Sequence, residues 1–232
     1  MPGSSVYDDF AETFGASRQG MRWEEVSILL DDFVESFESE DIWKMADIGC
    51  GNGRLLRHIL EVPKYLELFQ GHHSHYFWAD ISEKLLQQAK DDPILTQAVE
   101  VIEWKQMDMC DIGKVFSLSL FHAFFFIASF HHLENSLDRL SVLQDAKKIL
   151  LPGGKIYMTN WNLLSPGNER YVASKTLEYP DESADFGIKI GEYQRFYHAF
   201  SLAEYQKLAK DAWLTLETCE FGERNSMVIL QY

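Results

Sequence analysis

The chain has 232 residues, 46% hydrophobic and 14% aromatic, which excludes disorder by composition and suffices for a sizeable core in one α/β domain. Its 36 acidic against 21 basic residues give a formal net charge of -15, which disfavours an autonomous binder of phosphate backbones. Three cysteines, Cys50, Cys110 and Cys219, stand at long spacings and supply neither a disulfide framework nor a zinc ribbon, so a reduced, cytoplasmic compartment is expected.

No basic region followed by an apolar stretch opens the chain, so no signal peptide is expected. Residues 4–38 read as helical, within an N-terminal helical cap spanning 1–42. Val6, Phe10, Ala11 and Phe14 fall on one face, and Trp23, Val26, Leu29, Leu30 and Phe33 form a second stripe. A core over 43–162 follows. Trp43 to Ile48 is a predicted strand, Gly49 to Gly53 a tight turn, and Arg54 to Glu61 a helix. A loop containing Pro63 leads to a second strand, His75 to Ala79. Ser82 is a predicted N-cap for a helix from Glu83 to Lys90. Val99 to Gln106 is the third strand.

The longest apolar run, Phe116 to Phe130, is interrupted by Ser117, Ser119 and His122 and is too short to span a membrane. Within it Phe121 to Ala128 reads as a central strand buried on both faces. Leu137, Leu140, Leu143 and Leu150 have helical spacing up to a stop at Pro152-Gly153-Gly154, and Lys155 to Asn160 is a fifth strand. Strand and helix alternate, which implies a parallel sheet with right-handed crossovers in a three-layer α/β sandwich. Residues 163–198 break that rhythm and read as an insertion or lid. Over 199–232, Ser201 to Glu204 is a capping box opening a helix to Lys210. Trp213 to Glu220 and Met227 to Gln231 are a closing antiparallel pair.

Ligands of open α/β sheets bind at the carboxyl ends of the strands. The first such end is Asp47-Ile48-Gly49-Cys50-Gly51-Asn52-Gly53, where glycines permit positive φ and let a ligand lie on the backbone. The spacing is G-x-G-x-G, without the third glycine of a dinucleotide turn, G-x-G-x-x-G. Asp80, followed by Ile81, ends the second strand, where a carboxylate can take both hydroxyls of an adenosine ribose; dinucleotide enzymes share that feature. Asp108, after the third strand, can accept from an adenine amino group while Met109 packs on the ring. A nicotinamide-cofactor oxidoreductase is disfavoured by the glycine spacing and by Asp108. His72, His73 and His75 lack a matching carboxylate or cysteine cluster, so no metal site is expected.

The series Asp47-x-Gly49-x-Gly51-x-Gly53, Asp80, Asp108 and Leu151-Pro152-Gly153-Gly154 resembles the class I S-adenosylmethionine methyltransferases over roughly residues 43–160. The resemblance implies a seven-stranded, mostly parallel, Rossmann-like sheet with a reversed last strand. It also implies S-adenosylmethionine lying over the glycine turn, with S-adenosylhomocysteine as product. Asp47, Gly49, Cys50, Gly51, Gly53, Asp80, Ile81, Asp108 and Met109 would hold that cofactor, with Ala128 and Ser129 at its methionine end. Val6-Tyr7 through Phe14, Ser17-Arg18, Trp23, Gly49 to Arg54, His131-His132-Leu133, Arg195 to Phe200 and Asn225 to Leu230 are similar to the tRNA wobble-uridine carboxymethyl methyltransferases, which esterify a carboxylate.

A carboxylate acceptor is already ionised at neutral pH and needs an oriented cation rather than a base. Arg18 and Arg195 are the candidates, with His132 and His198 binding or shaping the acceptor pocket. Tyr7, Trp161 and Tyr197 would stack on it. Each also has a plainer reading: Arg18 as a surface charge, Arg195 as the partner of an acid, Tyr7 as core. The acidic balance departs from a tRNA enzyme. It favours a small carboxylic acid, or a small activator protein completing the tRNA surface. The third strand would be a free sheet edge that can pair with such a protein or with a second copy. A non-catalytic methyltransferase-fold scaffold is the remaining alternative.

Overall fold

The computed structural model describes residue 8 and residues 24–96, 101–116, 120–165, 168, 183–190 and 193–232. Tyr7, Arg18 and most of the expected N-terminal helix lie outside the described residues. The part described, α1 (Glu24–Phe37), buries Val26, Leu29, Leu30, Phe33 and Phe37, one stripe at helical spacing. Those side chains pack on Trp43, Phe125 and Tyr157 of the sheet.

Seven strands form one sheet: β1 (Lys44–Ile48), β2 (His75–Asp80), β3 (Val101–Gln106), β4 (Phe121–Ile127), β5 (Leu150–Trp161), β8 (Thr215–Phe221) and β9 (Asn225–Gln231). Their order is β3-β2-β1-β4-β5-β9-β8. β9 is antiparallel to both neighbours, so one strand is reversed and the expected fold class is observed. β4 lies between β1 and β5 and every residue of it is buried, which explains its unbroken apolar run. β1 pairs with β2 on one side and β4 on the other. Chain order reverses there, opening a crevice at the carboxyl ends of β1 and β4.

The helices α2 (Arg54–Glu61), α4 (Glu83–Lys90) and α5 (Ser136–Ile149) follow their strands as expected. Two boundaries differ. The segment after Glu61 is a helix, α3 (Pro63–Gly71), because Pro63 occupies a helix's first turn, where its missing N–H costs nothing. α5 ends at Ile149, before Pro152-Gly153-Gly154, and β5 begins directly at Leu150. A residue preceding proline is steered to extended backbone, so Leu151 already belongs to the strand.

The region expected to be an irregular insertion contains an antiparallel hairpin of its own, β6 (Ala184–Ile190) and β7 (Tyr193–Ala199). α6 (Leu202–Asp211) follows, with the Ser201 hydroxyl accepting from Glu204 N–H at 3.1 Å. The reciprocal half of the capping box is replaced: Ser201 N–H donates to Ser183 Oγ at 3.1 Å, and the Glu204 carboxylate turns to His198. The closing strand starts at Thr215 rather than Trp213, whose φ of 57° is incompatible with a strand.

Ser82 caps α4 as expected, its hydroxyl oxygen accepting from Leu85 N–H at 3.2 Å and its O–H donating to Asp8 Oδ1 at 2.7 Å. Ser82→Ala is expected to lower stability by about 1 kcal/mol in urea unfolding. An unchanged midpoint would show that this cap does not support the helix.

Candidate active site

The turn after β1 is held by the end of β2. Gly49 N–H and Cys50 N–H both donate to Ala79 O, at 2.7 and 3.1 Å. Gly51 N–H donates to Asp80 Oδ2 at 2.7 Å, and Ser82 N–H to Asp80 Oδ1 at 2.8 Å. Gly49 has φ 71°, and a Cβ there would lie 2.4 Å from Ser129 Cβ, so this position admits only glycine. Gly53 opens α2 at φ 84° and meets Trp78 and Leu95 instead, so it serves close packing.

A cavity of about 380 Å³ lies on this turn. Gly49, Gly51, Asp80, Ile81, Asp108, Met109 and Ala128 line it, as do Ser129, His132 and Arg195. Asp47, Cys50 and Gly53 shape the turn from behind and do not line it. Sequence reading missed Arg54, Leu85, Cys110, Glu134 and Asp138 as lining residues. The signal for Arg54 was its place directly after Gly53. Glu134 and Asp138 follow the carboxyl end of β4, where ligands of such sheets gather.

S-adenosylmethionine fits this lining. Each Asp80 oxygen accepts one backbone N–H and keeps a second lone pair, so two ribose hydroxyls can still donate to it. Burial pushes the Asp80 carboxyl up, against the Ser82 and Gly51 N–H groups and the Arg195 charge. Asp108 uses Oδ1 to accept Cys110 N–H at 2.9 Å. Met109, Ile81 and Leu85 give the same wall apolar surface for a ring. The Cys110 thiol is pushed up to about 12 by burial and by Asp108. Behind the turn Asp47 is buried; its Oδ1 has no hydrogen-bond partner among the described residues, and burial pushes its carboxyl up to about 7.

Asp80→Asn is expected to weaken cofactor binding about 10- to 100-fold, the scale of a lost charge-assisted hydrogen bond. The amide would also set an N–H₂ against a backbone N–H. Titration calorimetry with S-adenosylmethionine checks this, and unchanged affinity would remove Asp80 from the site.

Arg195 is 7% exposed and stands in the cavity wall. His132 Nδ1 lies 2.9 Å from Phe196 O and therefore carries the proton; its Nε2 accepts from Arg195 Nη2 at 3.0 Å. His132 thus orients the arginine. His131 is buried on Asn160, with its backbone N–H and Nδ1 at 3.1 and 3.2 Å from Asn160 Oδ1. Tyr197 is 1% exposed and stacks on both His131 (5.2 Å) and Trp161 (4.9 Å), which are 6.3 Å from one another. Tyr197 and Trp161 therefore face one another, and neither lines the cavity. His198 does not line it either. Strand residues three apart point to opposite faces, so His198 cannot share the direction of Arg195.

Among the described residues no group of three or more His, Cys, Asp or Glu could hold a metal ion, and no helix is long and apolar enough to cross a membrane. His72 stacks on Trp43 with ring centroids 4.0 Å apart.

Residues 46–156 match a family model described as a methyltransferase domain. The chain is 27% identical over 184 residues to a tRNA (carboxymethyluridine(34)-5-O)-methyltransferase of Xenopus tropicalis, a match covering 77% of this chain and 24% of that protein. It thus spans about a quarter of that relative's length. The fold is similar to an S-adenosylmethionine-dependent methyltransferase from Clostridium acetobutylicum (TM-score 0.65, 14% identity, 97% of this chain and 98% of that one). It is also similar to S-adenosylmethionine-bound CalS10, an amino pentose methyltransferase from Micromonospora echinaspora (TM-score 0.59, 15% identity, 95% and 96%). With the domain match, the sheet order and the cavity on the glycine turn in agreement, residues 46–156 form a methyltransferase domain, on the fold of the S-adenosylmethionine-dependent methyltransferases.

Proposed function

We propose that this enzyme O-methylates a carboxylate, and that its acceptor is a carboxymethyl group on a tRNA wobble uridine. The observation that carries the reading is Arg195, a buried cation in the wall of the cofactor cavity with its guanidinium oriented by His132. A guanidinium binds a carboxylate through two parallel N–H···O bonds, and so fixes which oxygen lone pair points at the reacting carbon. When bound, the cofactor supplies an electrophilic methyl on a sulfonium. A carboxylate oxygen held by Arg195 would accept that methyl, the electron pair of the C–S bond being left on sulfur. No proton moves, so a site whose nearest histidine is committed at both nitrogens suffices. The name of the Xenopus relative supports the tRNA acceptor.

A chain of net charge -15 needs help to hold a polyanion. A small activator protein paired along β3 at the sheet edge is the proposed source of that surface; a second copy would satisfy the same edge but would double the negative charge. The same charge favours a second reading, a small carboxylic acid as acceptor.

The test is transfer from methyl-labelled donor to tRNA bearing carboxymethyluridine and, separately, to a small-metabolite fraction. The expected label is in tRNA and is released as methanol by mild alkali, as an ester requires. Alkali-stable label would overturn carboxylate chemistry. Label only in metabolites would replace tRNA by the small acid.

A further inference from the structure

The two faces of β7 serve two places. Arg195 faces the cavity, and His198 faces α6. His198 is 5% exposed, with Nδ1 2.5 Å from Asp185 Oδ1 and Nε2 2.7 Å from Glu204 Oε2. Both contacts are to carboxylate oxygens, so both ring nitrogens are placed to donate. Asp185 is its cross-strand neighbour on β6, and Glu204 lies in the first turn of α6. Glu204 Oε1 is 3.4 Å from Arg139 Nε on α5. Arg139 Nη1 donates to Leu133 O at 2.7 Å and Glu134 O at 3.3 Å, two residues of the cavity wall. Burial works against an ionised Glu204, but the hydrogen bond and charge of His198, with Ser183 and Arg139, hold its carboxyl below the usual value.

We infer that His198 is a positioning residue: the row Asp185–His198–Glu204–Arg139 fixes the hairpin to the cavity wall and sets where Arg195 stands. The inference rests on reading Arg195 as the acceptor clamp. An exposed row of this kind would contribute little. A buried one is costly to interrupt, because removing one member strands the charges of its neighbours.

The experiment compares His198→Leu with His198→Arg, whose fork can still donate to both carboxylates. Cofactor affinity, kcat/KM for the acceptor and amide hydrogen exchange of residues 193–199 are measured in each. In the leucine variant kcat/KM is expected to fall about 100-fold, the effect of misplacing a reacting group by about 1 Å. Exchange in β7 should rise while the cofactor Kd stays within about twofold. The arginine variant should recover most of both losses, which a purely space-filling role for His198 would not allow. Unchanged exchange in the leucine variant, or an arginine variant as impaired as leucine, overturns the inference. If the leucine variant does not fold, Glu204→Gln removes one charge at constant shape and must shift the same readouts in the same direction. Exchange is read without acceptor. A wild-type enzyme that methylates no carboxylate, yet whose β7 loosens on His198→Leu, would sink the clamp and leave the latch standing.

Discussion

Arg195→Ala is expected to lower kcat for carboxylate methylation by about 10²- to 10³-fold, the effect of removing one oriented charge-stabilising donor from a buried site. Arg195 is in the cavity wall and held by His132, so its contribution is orientation as well as charge. Arg195→Lys keeps the charge but loses the planar fork, and should fall between the two. The proposed cofactor site is the glycine turn and Asp80, so cofactor affinity should move by no more than about threefold in either variant. Single-turnover transfer with saturating donor, alongside calorimetric binding of the donor alone, separates the two effects. An alanine variant with wild-type kcat would show that the acceptor is oriented elsewhere.

The second large effect concerns stability. Burial is the main cause of the raised Asp47 carboxyl; the Arg54 charge opposes it, the Asp80 charge adds to it, and the Tyr76 hydroxyl opposes it weakly. The folded value, about 7, lies above the unfolded value of 3.8, so the folded chain binds this proton more tightly. The neutral carboxyl's contribution to stability is complete below pH about 4. It is lost as pH rises to about 7, at about 1.4 kcal/mol per unit, or about 4 kcal/mol in all. Asp47→Asn cannot ionise, and should be more stable than wild type at pH 8 while approaching it at pH 4. Urea unfolding of both proteins between pH 4 and 8 reads the difference directly. Parallel stability curves would show that Asp47 is ionised in the folded protein.

What was legible in the sequence was what is local. Gly49 and Gly51 announce a ligand-bearing turn because both have positive φ, and at Gly49 the nearness of Ser129 leaves no room for a Cβ. Asp80 ends β2 and Asp108 follows β3, and the cavity joins both to the turn. The β6–β7 hairpin was not legible, because a stretch rich in Gly, Pro, Asp, Glu and Tyr hides strand alternation. Without the strand, the opposite facing of Arg195 and His198 could not be derived, so both were read as facing the acceptor. Tyr197 and Trp161 are expected from the sequence to stack on the acceptor, whereas the structure stacks them on each other. That follows from long-range packing against His131, which no local pattern encodes.

Cys110 carries a consequence for the enzyme's own survival. S-adenosylmethionine is an alkylating agent, and thiolates are the side chains most readily alkylated. This sulfur belongs to a residue of the cavity, yet with its thiol pushed up to about 12 it stays protonated at neutral pH. Burial and the carboxylates of Asp108, Asp138 and Asp111 together keep the proton on. The acidic lining that counts against a phosphate backbone therefore also works as a safeguard, letting the protein store a reactive methyl beside a cysteine without consuming itself.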